Sequence, residues 1–227
     1  MFLDLDVIRD NFSLLGSGLL LTIGIAAAAI AAGTAIGLVT AVLRMSGVAA
    51  LRWLAASYVD LIRNTPLLVQ ILVVFLGLPE IGIRLSAVQA AILALSINNG
   101  AYIAEIARGG LQSISRGQLE AAAAIGLSSP VSFVEVVCPQ AMRAVYPALS
   151  NQFILTILGS SIASVIGVPE LTQQVLFVDS RTFRTIELLT FLTITYGLVT
   201  YIVARGAREA GRWLYRWGAL ERCAGIF

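Results

Sequence analysis

Polar side chains recur at helical spacing inside an otherwise apolar stretch near the middle of the chain. Asn98, Tyr102 and Glu105 stand at positions i, i+4 and i+7, which places them on one face of an α-helix. Inside a membrane such groups are costly, and they usually face the interior of a helix bundle or a water-filled path. Together they could hydrogen-bond a polar or zwitterionic solute.

A second polar series lies about fifty residues further along. Gln152, Thr156 and Ser160 stand at i, i+4 and i+8, Ser161 follows directly, and Gln70 is a matching polar group in an earlier apolar stretch. Such groups could line a solute path, or they could join helices to one another, because Ser, Thr, Asn and Gln often bond across membrane helices.

We interpret Asn98, Tyr102 and Gln152 as binding groups because burying them is costly, and Thr156 and the serines as packing groups. Glu105 has the alternative of an ion pair with Arg108 at i, i+3. The candidate pathway residues are Gln70, Asn98, Asn99, Tyr102, Glu105, Gln152, Ser160 and Ser161.

Several kinds of chemistry are excluded by residue types that the sequence lacks. It contains no histidine and no lysine, and its two cysteines, Cys138 and Cys223, form no CxxC pair. This excludes Ser-His catalysis, His-ligated metals, Schiff bases and a phosphate-loop lysine, and it disfavours a disulfide framework or a zinc site. A net charge of +2 argues against a nucleic-acid partner. We therefore predict no metal site, no cofactor bound by this chain and no catalytic site.

The composition predicts the elements that carry these polar groups. Of 227 residues, 58% are hydrophobic and only 12% are charged, with a mean hydropathy of +0.89. A soluble fold of this size cannot hide so much apolar surface. Uncharged stretches long enough to cross a bilayer predict an all-α integral membrane protein with five transmembrane helices, at about 19–43, 58–78, 85–104, 144–168 and 188–205.

The arginines predict the orientation, since basic residues concentrate on the cytoplasmic side. With a cytoplasmic C-terminus, eleven arginines lie inside and four outside, namely Arg9, Arg84, Arg181 and Arg184. Five spans then place the N-terminus outside. The tail from Arg205 to Arg222 also carries three aromatic residues and is typical of either an interfacial segment on anionic lipid or a simple stop-transfer anchor.

The longest cytoplasmic connection, residues 112–139, carries the signals of two short helices. Ser115 and Gln118 form a capping-box pattern, and Gly126 fits a helix end. Ser129 is a candidate N-cap before Pro130.

We expect Pro139 to end the second of these helices. The first has a flat alanine face and one directed polar group, Glu120. Such a helix suits docking into a groove of a partner. It suits equally an amphipathic connector resting on the membrane.

Ordered motifs in this region resemble the EAA loop of ABC-importer permeases. Glu120-Ala121-Ala122, then Gly126 after three residues, then an apolar segment ending in Cys138-Pro139 reproduce the spacing of that loop, with Cys138 where the family usually has Leu. Further stretches resemble the histidine/glutamine/arginine permeases of the polar amino-acid branch: 63–70, 98–105, 108–113, 139–141, 151–154 and 164–172.

The resemblance implies a subunit that hydrolyses nothing itself. It would pair with a second permease, identical or paralogous, carry two cytoplasmic ATPase subunits that bind ATP and Mg, and receive solute from an extracytoplasmic binding protein in a bacterial inner membrane. A cytoplasmic coupling helix between spans three and four would dock on the ATPase through Glu120, Ala121, Ala122, Gly126 and Pro139.

The chain departs from the family pattern at one place. Where the family often carries a Lys-Asp pair, this sequence has Leu158-Gly159. Both charges of the site are lost, which leaves the solute open and allows that a partner protomer supplies them.

Three further interpretations remain open. The charged segment 168–187, with Glu170, is either a docking surface for the binding protein or an ordinary solvated loop. Gly33 and Gly37 form a GxxxG pair that favours packing within one subunit over a dimer seam. A secondary transporter or channel subunit would have similar polar faces but no need of an EAA helix.

Overall fold

The computed structural model describes the backbone of residues 6–217, with side chains up to Arg212. Within that part the chain forms helices and no strand, which confirms the all-α prediction. The helices are α1 (Asp6–Asp10), α2 (Phe12–Arg44), α3 (Ala49–Arg63), α4 (Leu67–Glu80), α5 (Ala87–Gln112), α6 (Arg116–Ala124), α7 (Ser129–Ile166), α8 (Leu171–Thr182) and α9 (Thr185–Trp217).

Four of the described helices, α2, α5, α7 and α9, are long and apolar enough to cross a membrane. They overlap the predicted spans at 19–43, 85–104, 144–168 and 188–205. Large apolar side chains are exposed along them, for example Leu38, Val165 and Ile202. An outer surface of this kind is expected where a helix bundle meets lipid. The predicted interfacial tail carries its aromatic side chains beyond Arg212, outside the described side chains.

The predicted span at 58–78 is not one continuous helix. The chain bends by 108° between α3 and α4, a geometry that fits either a broken span or a re-entrant loop. Pro66 at the break has no N–H, and it disfavours a helical conformation in the residue before it. The Gln70 side chain closes the bend by donating to the carbonyls of Ile62 (2.8 Å) and Thr65 (3.1 Å).

The core lies where α2 packs along α5 through glycine. A Cβ placed on Gly33 would lie 2.7 Å from Asn99 Nδ2, and one on Gly37 would lie 2.7 Å from the Ile103 Cβ. Only hydrogen fits at these two positions, because the backbone of α2 lies directly against the Asn99 and Ile103 side chains of α5. The GxxxG pair therefore packs within one subunit, as we expected.

The two ends of the bundle are built differently. The α6 end carries the last turns of α2 and α5, the first turns of α7 and α6 itself. The α8 end carries the start of α2 and the helix α8, an element that was not predicted from the sequence. Glu170 caps α8, its carboxylate accepting from the backbone N–H of Gln173 (2.9 Å) and the Tyr196 hydroxyl (2.9 Å).

Glu170 is fully buried in this network, 3.3 Å from the hydroxyl of Thr22 on α2. Its carboxylate thus ties α8 to both α2 and α9. The interpretation of Glu170 as part of a charged external surface is wrong, because helix capping and the hydroxyls of Thr22 and Tyr196 draw the carboxylate inside.

The segment 112–139 contains α6 and the start of α7. Gly126, at φ +83°, follows α6, and its N–H bonds Ala123 O (3.0 Å) while Leu127 N–H bonds Ala122 O (3.1 Å). This pair of bonds is a Schellman motif, and it requires a left-handed residue that glycine adopts without strain. The predicted helix end at Gly126 is therefore in place.

Two capping details differ from the prediction. Ser115 is the N-cap residue of α6, but its side chain makes no capping bond, so the capping box with Gln118 is not formed. The N-cap of α7 is Ser128, one residue before Ser129, with Pro130 in the first turn.

Pro139 does not end a helix, which makes that prediction wrong. A π-helical turn, Phe133–Val137, precedes it, and the helix runs on through Pro139 to Ile166. Proline lacks an N–H and clashes with the carbonyl four residues earlier. The wider π turn moves that carbonyl away, and α7 continues as one helix.

Candidate solute cavity and coupling surface

A polar cavity of about 160 Å³ lies between α4, α5 and α7. Its lining residues are Leu67, Leu95, Asn98, Tyr102, Gln152, Leu155 and Thr156. The structure thus brings together three of the side chains predicted to bind solute, from two helices that are about fifty residues apart in sequence. In the described chain, no charged side chain lines this cavity.

Asn98 is held in place by the bend beside the cavity. Its Nδ2 donates to Gln70 Oε1 at 2.9 Å, and Gln70 in turn donates to the Ile62 and Thr65 carbonyls. Gln70 does not line the cavity, so its role is to orient Asn98 and to close the bend. Among the described residues, Asn98 Oδ1 has no hydrogen-bond donor and can accept one from a solute.

Asn99 connects the helices behind the cavity. It is 1% exposed, and its Oδ1 accepts from Gln152 Nε2 (3.2 Å) and from the Thr156 hydroxyl (3.1 Å). Its Nδ2 has no partner in the described part of the chain. Asn99 therefore positions Gln152 and Thr156 and has no direct access to a solute.

Ser160 and Ser161, predicted to line the pathway, do not line this cavity. Their hydroxyls donate to the carbonyls of Ile157 and Leu158, each at 2.7 Å, within the same helix. The tighter 3-10 turn there brings the carbonyl three residues earlier within reach. Because these bonds stay within α7, neither serine joins α7 to another helix, whereas Thr156 does so through Asn99.

Glu105 lies beyond the cavity, at the α6 end, within a cluster of arginines. Its carboxylate pairs with Arg108 and with Arg44 (2.7 Å), and Arg63 lies at 3.7 Å. The Arg63 guanidinium also sits 5.5 Å from the centre of the Tyr102 ring. The alternative of an Arg108 pair is correct, and the role of Glu105 is to hold three helices together.

Sequence reasoning missed several residues of this region. Leu67, Leu95 and Leu155 complete the cavity wall, but an apolar lining residue cannot be told from an ordinary core residue by its type. The pairing of Arg44 with Glu105 spans 61 positions, a distance at which periodicity gives no signal.

The motif predicted to couple to a partner forms an open surface at the α6 end. Glu120, Ala121 and Gly126 are exposed, as is Pro139, whereas Ala122 is 3% exposed and packs beneath the helix. Ile125, at 77% exposure, adds an apolar group to the same short helix.

The sequence profile for the binding-protein-dependent transport system inner membrane component matches residues 33–209. The chain belongs to this family and is a membrane-spanning permease component of the ABC transport type.

Two individual relatives match this sequence over at least 90% of its length. The probable glutamine ABC transporter permease GlnM of Bacillus subtilis is 35% identical over 204 residues, covering 90% of this chain and 94% of the relative. The nopaline transport permease NocM of Agrobacterium fabrum is 35% identical, with 93% and 92% covered.

A solved structure described as an amino acid ABC transporter with histidines shares the fold. It superposes with a TM-score of 0.87 at 35% identity, covering 93% of this chain and 99% of that one. The bent α3–α4 pair and the remaining helices thus belong to a permease fold of this type.

Proposed function

We propose that the chain lines the path through which an ATP-driven importer carries a polar amino acid or a related small solute across a bacterial inner membrane. The observation that carries the proposal is the polar cavity between α4, α5 and α7 in a permease fold. The relatives named for glutamine and nopaline transport support the class of solute.

The cavity offers hydrogen bonds without charge. Asn98 Oδ1 is open to an ammonium or amide donor, and the described residues give the Tyr102 hydroxyl no hydrogen-bond partner. Amide and hydroxyl dipoles would bind a zwitterion. The Arg63 guanidinium lies 5.5 Å from the centre of the Tyr102 ring and does not line the cavity. This arrangement favours a solute with a neutral polar side chain.

The partners follow from the same proposal. The exposed α6 docks on one of two cytoplasmic ATPases that bind ATP and Mg, and a second permease, identical or paralogous, completes the pathway. An extracytoplasmic binding protein delivers solute at the α8 end. The α6 end is then cytoplasmic and the N-terminus lies outside, which agrees with the arginines at the α6 end. The chain itself performs no catalysis.

The test is to purify the chain with its ATPase and binding protein, and to measure which ligand of the binding protein stimulates ATP hydrolysis in proteoliposomes. We expect stimulation by a neutral polar amino acid. Uptake that persists without ATP would instead indicate a secondary transporter and would contradict the proposal.

A further inference from the structure

A second cavity, of about 470 Å³, opens at the α6 end between α2, α3 and α5. Three arginines line it, Arg44, Arg52 and Arg108, together with Gln112 and the apolar side chains of Met45 and Leu111. The solute cavity shares none of these residues.

The arginines around this cavity carry more positive charge than their neighbours neutralise. Glu105 pairs with Arg44 and Arg108 and also faces Arg63, and the Asp60 carboxylate acts electrostatically on Arg108. Arg52 has no carboxylate partner there, and its guanidinium donates only to the Ser46 carbonyl at 3.3 Å. The cavity is therefore a concave site with more guanidinium groups than carboxylates, and the Arg52 guanidinium suits a phosphate group because it can bind phosphate oxygens in a bidentate manner.

The residues around the cavity are of the kinds found where membrane helices meet lipid headgroups. Arg44 is the last residue of the apolar helix α2, and the next helix, α3, exposes Trp53 to 71% and Leu54 to 60%. Tryptophan is enriched where membrane helices meet water. Met45 is itself 61% exposed at the rim, so apolar surface adjoins the charged groups.

We propose that this cavity binds the phosphate of an anionic phospholipid headgroup. Basic pockets between membrane helices are known to take such headgroups. A free phosphate or a nucleotide carries the same chemistry, but the apolar rim and the exposed Trp53 favour an amphipathic ligand. The proposal does not depend on the solute that the chain transports.

The experiment titrates the full-length protein, purified with its partner subunits, with phosphatidylglycerol or phosphatidylcholine, and counts bound lipid by native mass spectrometry. We expect preferential binding of phosphatidylglycerol. Arg52→Gln should weaken that binding about fivefold, the effect of one basic residue near an anionic surface. Because Arg52 forms no ion pair in the described chain, this variant should fold and assemble.

Two further variants separate charge from shape. Ala56→Phe places a bulky ring in the cavity wall, keeps all the arginines, and should lower phosphatidylglycerol binding as well. Arg84→Gln removes the same charge from an exposed position at the α8 end and should have no effect.

Two results would overturn the proposal. Unchanged phosphatidylglycerol binding in Arg52→Gln would show that the cavity does not hold the headgroup. Displacement of the lipid by inorganic phosphate at comparable concentration would show a general phosphate site in place of a lipid site. ATP hydrolysis stimulated by solute is a separate readout, so failure of either proposal is recognised independently.

Discussion

At the scale of single residues, the solute cavity depends on side chains whose hydrogen-bonding capacity the protein leaves partly unused. Asn98 keeps its Oδ1 open, and the described residues give the Tyr102 hydroxyl no partner, whereas Gln70 and the serines use theirs within the fold and Asn99 is buried away from the cavity. A polar residue in this chain is therefore a binding candidate only where a neighbouring helix has not already taken its polar atoms.

Tyr102→Phe tests this distinction directly. The variant removes only a hydroxyl without a partner in the described chain, so stability should be unchanged. Solute-stimulated ATP hydrolysis should need about fivefold to tenfold more loaded binding protein, the effect of one lost hydrogen bond to substrate. Tyr201→Phe is the matched control, since Tyr201 is exposed on α9 and accepts from Arg205. An equal effect in Tyr102→Phe and Tyr201→Phe would show that the Tyr102 hydroxyl does not bind solute.

Glu105→Gln tests the arginine cluster. The change leaves Arg44, Arg63 and Arg108 without the carboxylate that they share, so the free energy of unfolding should fall by about 2 kcal/mol. Thermal unfolding in detergent measures this loss. Glu135→Gln, at an exposed position without a described partner, should leave the melting temperature unchanged. If Glu105→Gln melts at the same temperature as the parent protein, the cluster has no role in stability.

At the scale of elements, the α6 surface depends on one backbone conformation. Gly126 adopts φ +83° with no heavy atom within 4 Å of a Cβ placed on it, so the constraint is conformational and not steric crowding. The left-handed conformation costs an ordinary residue about 1–2 kcal/mol, and a β-branched residue suffers most.

Gly126→Val should therefore insert into the membrane normally but lose the coupling of ATP hydrolysis to uptake. Both rates are measured in the same proteoliposomes, and the ratio of solute moved to ATP hydrolysed should fall. Gly126→Asn, which tolerates the left-handed region, should retain most of the coupling. Normal transport by the valine variant would contradict the proposal that this turn is needed for contact between α6 and the ATPase.

Sequence patterns predicted these elements unevenly, for physical reasons. The end of α6 at Gly126 was predictable because local backbone geometry alone decides it. The continuation of α7 through Pro139 was not predictable, because no residue pattern in the sequence indicates the π turn that accommodates the proline. The α3–α4 bend was missed because the span was predicted from the uncharged stretch alone, which takes no account of Pro66.

The residues of the cavity were also predictable only where local periodicity decides their position. Periodicity placed Asn98 and Tyr102 on one face, and the structure gives both to the cavity. Only tertiary contact shows that Asn99 bonds Gln152 across 53 positions and that Ser160 bonds its own helix.

At the scale of the whole molecule, the α2–α5 contact forms the rigid centre against which the other helices are arranged. Its glycines allow no larger side chain, and Asn99 and Ile103 fill the opposite face. At the α8 end, Glu170 joins α2 to α8 and α9 through its buried carboxylate.

Gly37→Leu should prevent this packing. The added side chain would meet Ile103 and the Gly100 carbonyl, which lie 2.7 and 2.9 Å from a Cβ at this position, so we expect loss of a monodisperse, assembled protein. Size-exclusion chromatography of the purified complex measures the outcome. Gly24→Leu, on the same helix but with nothing within 4 Å, should behave as the parent protein. Normal assembly of Gly37→Leu would mean that α2 can shift along α5.

The bond between Asn98 and Gln70 joins the cavity wall to the hinge between α3 and α4. A solute that displaces Gln70 from Asn98 Nδ2 would remove one of the contacts that hold the bend. Because linkage between two sites is reciprocal, a change that opens the bend and separates Gln70 from Asn98 would also raise the affinity of Asn98 for that solute. The angle between α3 and α4 and the affinity of the cavity for such a solute would then be thermodynamically coupled.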